Sequence, residues 1–76
     1  MNDELFNLEL RKFLKRFGVT AQRAIEQAVQ SGLASRKLDG TERLPVRAAL
    51  EIPGVLAQVT VEGEIALEGE GPPPET

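Results

Sequence analysis

The sequence predicts an α+β fold: two N-terminal helices packed on a C-terminal antiparallel β-hairpin, in the order ααββ. Three observations predict it. Up to Leu33 the apolar residues recur at three- and four-residue spacing, the period of one helix face. From Val46 the spacing drops to two, the period of a half-buried strand. Pro53-Gly54 then splits this second half into two alternating runs.

The first helix is predicted over residues 2–17. Phe6, Leu10, Phe13, Leu14 and Phe17 form its apolar face, with Glu4, Arg11, Lys12 and Lys15 opposite. Asn2 is the expected N-cap, its amide oxygen accepting from an early N–H. Asp3 and Glu4 suit the positive end of the helix dipole, and Lys12, Lys15 and Arg16 suit the negative end. Gly18 is the expected left-handed residue that closes the helix. Thr20 would then cap a second helix from Ala21, with Ala21, Ile25, Ala28, Val29 and Leu33 on one face. That helix is read through Gly32, since a mid-helix Gly costs only about 1 kcal/mol against Ala. It is expected to end between Ser35 and Lys37.

A turn is expected at Leu38-Asp39-Gly40-Thr41. The first strand sets Val46, Ala48, Leu50 and Ile52 against Arg47, Ala49 and Glu51, with Pro45 at its start. In the second, Val55, Ala57, Val59, Val61, Ile65 and Leu67 oppose Gln58, Thr60, Glu62 and Glu64. Gly63 falls on the inward side, where a bulge, a close backbone approach or a break would suit it. The unbroken period favours one long bent strand. The domain is therefore read as residues 1–69. Residues 70–76, with three consecutive prolines, are read as a disordered acidic tail.

Composition removes many function classes. The 76 residues make one domain at most, with a small core. The chain has no Cys and no His, which removes disulfides, thiol and Ser-His-Asp chemistry and ordinary transition-metal sites. No acidic pair lies in an apolar run that would tune it for acid–base work. With Phe6, Phe13 and Phe17 as the only aromatics, base-stacking platforms are not expected either. The expectation is a protein that is not an enzyme and uses no cofactor. No stretch has the length of a membrane span, and the acidic start Met-Asn-Asp-Glu is unlike a secretory signal, so the expected location is the cytoplasm. Charge is uneven. Residues 1–47 hold all nine Lys and Arg against six acids, a net of +3, and residues 48–76 carry a net of −6.

Three candidate sites follow. The Phe-Gly-Val-Thr turn between two helices resembles a helix-turn-helix. In that reading Lys12, Lys15 and Arg16 meet phosphates, while Thr20, Gln22, Arg23 and Gln27 meet bases. The acidic net charge and Glu26 on the reading face count against it. Glu62, Glu64, Glu68 and Glu70 alternate as hard-cation ligands would, yet a solvated strand face explains them and no metal site is expected. The third candidate, and the reading the sequence favours with weak nucleic-acid binding as its alternative, is a non-enzymatic interaction module whose partner is either itself or another chain. Leu8, Leu44, Leu56 and Ala66 are left outward or unassigned, and a hairpin has open edges. Two hairpins paired about a two-fold axis would make a four-stranded sheet; alternatively Glu62, Glu64 and Glu68 guard the edges and keep a monomer.

The run from Asn2-Asp-Glu through Arg-Lys-Phe-Leu-Lys, Gly-Val-Thr-Ala-Gln and Ile-Glu-Gln-Ala-Val, then Leu-Glu-Ile-Pro-Gly and Glu-Gly-Glu-Ile-Ala-Leu, resembles a family of short bacterial proteins of unknown function. The likeness covers residues 2–68. It implies a stand-alone cytoplasmic domain with two helices before a hairpin, and no activity, ligand or site. Gly32 stands where the family pattern has Ala.

Overall fold

The structure, a computed structural model, describes residues 1–69. The tail expected at 70–76 lies outside the described residues. The fold is α+β, with one helix rather than two: α1 (Asp3–Ala34), then β1 (Arg43–Ile52) and β2 (Leu56–Ala66). The chain divides into two compact units, Met1–Lys37 and one that begins at Leu38.

The expected turn between two helices is not formed. α1 runs unbroken for 32 residues through Gly18, Val19 and Thr20. The physical reason is phase. Phe17 and Ala21 are one four-residue step apart, so the apolar stripe of the first segment passes into the second without a turn of register. Gly18 falls at the margin of the stripe, seven residues from both Arg11 and Ile25, and its cost in a helix interior is only about 1 kcal/mol. It does not take the left-handed conformation that a helix-closing glycine would.

That conformation is found at Arg36 instead, with φ 63°. Lys37 N–H donates to the Gly32 carbonyl at 2.9 Å, and Arg36 N–H donates to the Leu33 carbonyl at 3.2 Å. This is a Schellman closure with arginine in the position glycine usually takes. Ser35 is the C-cap, close to the expected end. At the other end Asn2 is the N-cap, as expected, and its Oδ1 accepts from Leu5 N–H at 3.0 Å. Asp3 and Glu4 do occupy the first turn, but the last turn holds no base. Lys12, Lys15 and Arg16 therefore sit near the middle of α1, and their supposed dipole role disappears with the shorter helix.

β1 and β2 pair antiparallel as a two-stranded sheet. Leu44 opposes Ile65, Val46 opposes Gly63, Ala48 opposes Val61 and Leu50 opposes Val59. Directly opposed residues share a face, so these pairs make one apolar surface. Leu44 belongs to it, because β1 starts two residues before Pro45. The link is a turn over residues 52–55, with Val55 N–H donating to the Ile52 carbonyl at 2.9 Å and Gly54 at φ 80°. Pro at the second place and a left-handed Gly at the third match a type II turn. Between Leu50↔Val59 and Ile52↔Leu56 the strands fall out of step, with β2 holding the extra residue. The bulge thus lies near Ala57-Gln58 and not at Gly63, and β2 continues through Gly63 as one strand.

Candidate functional site

No described residue is buried. The surfaces that most invite a partner are therefore the apolar stripe of α1 and the apolar face of the hairpin. Along α1, Phe6, Phe13 and Phe17 stay 51%, 50% and 44% exposed. Phe13 and Phe17 stack on each other, their centroids 6.4 Å apart. The stripe passes into Ala21, Ile25 and Val29, which are half-buried. Leu8, on the opposite side, is exposed as expected.

On the hairpin, the Leu44–Ile65 end is half-buried, whereas Val61 in mid-strand and Ile52 and Val55 at the turn are open. Opposite Val46, Gly63 offers no side chain. Val46, Gly63 and their neighbours Pro45, Arg47 and Glu62 line a shallow hollow. Leu56, left unassigned by the alternation, is half-buried beside the bulge; Ala66 is exposed on the polar face opposite Arg43.

The polar face of the hairpin carries the cross-strand charges. Arg47 pairs with Glu62 at 3.5 Å, and Arg43 pairs with Glu64. All four side chains are largely exposed, so each pair contributes at most about 1 kcal/mol. Their effect is on register, because a slip of one residue would turn these charges onto the apolar face. Sequence reading treated the glutamates as a solvated row and missed their partners, since the register linking residues 43–47 to 62–64 is long-range.

Edges differ. Leu67 N–H donates to the Glu42 carbonyl at 2.9 Å, which makes 42 and 67 a hydrogen-bonded pair. By alternation, Arg43, Pro45 and Arg47 point their backbone outward on β1, and Glu64, Glu62 and Thr60 do so on β2. Pro45 thus stands where an outer-edge donor would be, and β1 is poorly suited to further pairing. The outer edge of β2 has no proline.

The linker before β1 is held by carboxylates. Glu42 accepts from the Asp39 and Gly40 N–H groups, each at 3.0 Å. Asp39 accepts from the Thr41 hydroxyl and, at 2.9 Å, from its N–H. The Thr41 hydroxyl first, and its backbone N–H second, hold the Asp39 carboxyl below its usual value.

Of the residues predicted to contact nucleic acid, Lys12, Lys15, Arg16 and Arg23 share the helix face opposite the stripe. Gln22 and Gln27 lie on its two margins. They sit on one continuous helix, so there is no supporting helix to set a recognition helix at an angle into a groove. The helix-turn-helix reading loses its geometric basis. Among the described residues, no group of three or more metal-ligating side chains is assembled. Among the described residues, no helix is long and apolar enough to cross a membrane.

A family model described as "Family of unknown function (DUF6494)" matches residues 1–68 of the chain. No curated protein and no solved structure matches the chain.

Proposed function

The chain belongs to this family of unknown function, which passes on no activity, and we propose that the protein is a non-enzymatic interaction module that associates with a second copy of itself through its hairpin. The observation that carries the reading is that no described residue is buried although both units present an apolar face. A two-stranded hairpin alone is marginal in water, and three or more strands or a covering layer are needed for stability. Joining the β2 edges of two copies about a two-fold axis supplies four strands. A two-fold at Thr60 sets Glu62 against Gln58 and Glu64 against Leu56, which avoids the like-charge contacts that destabilise a sheet. The resemblance to short bacterial proteins supports a bacterial, cytoplasmic setting.

Amide exchange tests this directly. Thr60, Glu62 and Glu64 direct their N–H groups away from β1, so only a further strand protects them. Slow exchange at these three amides, matching that of Val59 and Val61, is the expected result. Thr60→Pro should abolish the protection and leave the β1–β2 ladder in place. Fast exchange at all three in the wild-type protein would refute hairpin pairing.

A further inference from the structure

We propose that α1 pairs with α1 of a second copy in antiparallel fashion, with Val19 at the level of the two-fold axis. This extends the self-association proposed above to a second surface. The stripe reads the same in both directions about residue 19. Reflected there, Phe6 falls on Gly32 and Leu10 falls on Ala28. Leu14 falls on Ala24, and Phe17 falls on Ala21. Phe13 falls on Ile25. Val29, at the margin, is the exception, since its mirror is Glu9. Residue 19 is also the middle of the helix, within one position of the midpoint of Asp3–Ala34.

Size supports the same arrangement. The N-terminal half of the stripe is large and the C-terminal half is small. A parallel pair would stack large on large at one end and small on small at the other, and the axes would have to splay. Interaxial distance follows the side chains at each contact, usually 8–10 Å. The antiparallel pair sets a large residue against a small one in four of the five reflections, so one spacing serves the whole length of about 40 Å.

Charge agrees with size. An antiparallel pair brings Asp3 and Glu4 to the level of Arg36 and Lys37 of the second copy, and Lys12 to the level of Glu26. One level, Lys15 with Arg23, is like-charged. A parallel pair would set Asp3 and Glu4 level with the same two acids, and would gather Arg11, Lys12, Lys15 and Arg16 of both copies, on the outer faces, at one end of the pair. The antiparallel pair also opposes the two helix dipoles.

The chain has no cysteine, so introduced thiols report only where they are placed. Leu10→Cys and Ala28→Cys chains, each also carrying Thr60→Pro to remove hairpin pairing, would be unfolded together, refolded as an equal mixture and gently oxidised. Mass spectrometry tells the products apart. The antiparallel pair predicts the mixed disulfide in excess over either symmetric one by about tenfold or more, because only facing Cα atoms lie close enough to bridge. Symmetric disulfides in excess indicate parallel pairing and overturn the proposal. A random distribution, or no product, overturns it as well, and leaves hairpin pairing to be judged by its own amide protection. A size swap gives a second reading free of thiols. Ala24→Leu should weaken self-association by about tenfold or more through overpacking. Adding Leu14→Ala should bring it back to within about threefold of the Thr60→Pro parent, since each large residue again meets a small one. A double variant that associates no better than Ala24→Leu alone overturns the proposal.

Discussion

The helix and the hairpin meet the same problem by different routes. Each exposes an apolar face, and each must satisfy its backbone. α1 bonds its backbone within itself, capped by Asn2 at one end and closed by Arg36 at the other. The hairpin can bond only the inner side of each strand, so half of its backbone groups face outward. A helix without a partner lacks only apolar cover, whereas a hairpin without a partner lacks cover and hydrogen bonds together. On the proposed self-association, the hairpin is therefore the unit whose folding would depend more strongly on assembly, and the helix the unit that would depend on it less.

The sharpest way to break the comparison is to attack the continuity of α1. Ala21→Pro would be favoured at the first position of a second helix after a Thr20 cap. In one continuous helix it removes a hydrogen bond and clashes with the preceding turn, and should cost about 3 kcal/mol or more. Circular dichroism should show a marked loss of helix and a lower melting temperature. A neutral result would restore the two-helix description.

A smaller change of opposite sign comes at Gly18. A Cβ built there meets nothing within 4 Å, and the backbone is helical. Gly18→Ala should therefore stabilise the helix by about 1 kcal/mol, read as a raised melting temperature. At a left-handed helix end the same substitution would destabilise.

These two positions also show what the sequence could and could not reveal. The pattern from Phe6 to Phe17 and that from Ala21 to Leu33 were each legible. Their common phase was legible too, but the order Gly-Val-Thr has the chemistry of a helix end and start, and that local signal masks the unbroken stripe. The true closing residue, Arg36, has no such chemistry and could not be found by residue type. In the hairpin, alternation and Pro53-Gly54 located both strands and the turn. Pro45 concealed the start at Arg43, because the effect of a strand proline depends on which side its nitrogen faces. The bulge near Ala57 was hidden because Val55, Ala57 and Val59 keep a formal alternation through it. The basic residues offered for a nucleic-acid site, Lys12, Lys15, Arg16 and Arg23, fall on one face of α1, but the two-helix frame that the reading needed is absent.

The smallest expected effect lies in the linker between the two units. Hydrogen bonds from Thr41 favour the charged form of Asp39, so its folded pKa lies below the ordinary 3.8. The stabilisation is complete above that ordinary value and is lost as pH falls through the lowered one. In an acid titration followed by NMR, the Thr41 amide should keep its hydrogen-bonded shift below pH 3.8 and lose it at lower pH. Asp39→Ala should remove that transition and leave the α1 amides unchanged.

Pro45 has a consequence for stoichiometry. A strand that accepts a neighbour on each side can add copies without limit, and a sheet of such strands polymerises. Here each copy has one usable edge. Once two β2 strands have met, both rims of the four-stranded sheet are β1 strands, each interrupted at Pro45. On the proposed pairing, the sheet therefore stops at two hairpins, and a single ring nitrogen without a hydrogen separates a closed four-stranded sheet from an endless one.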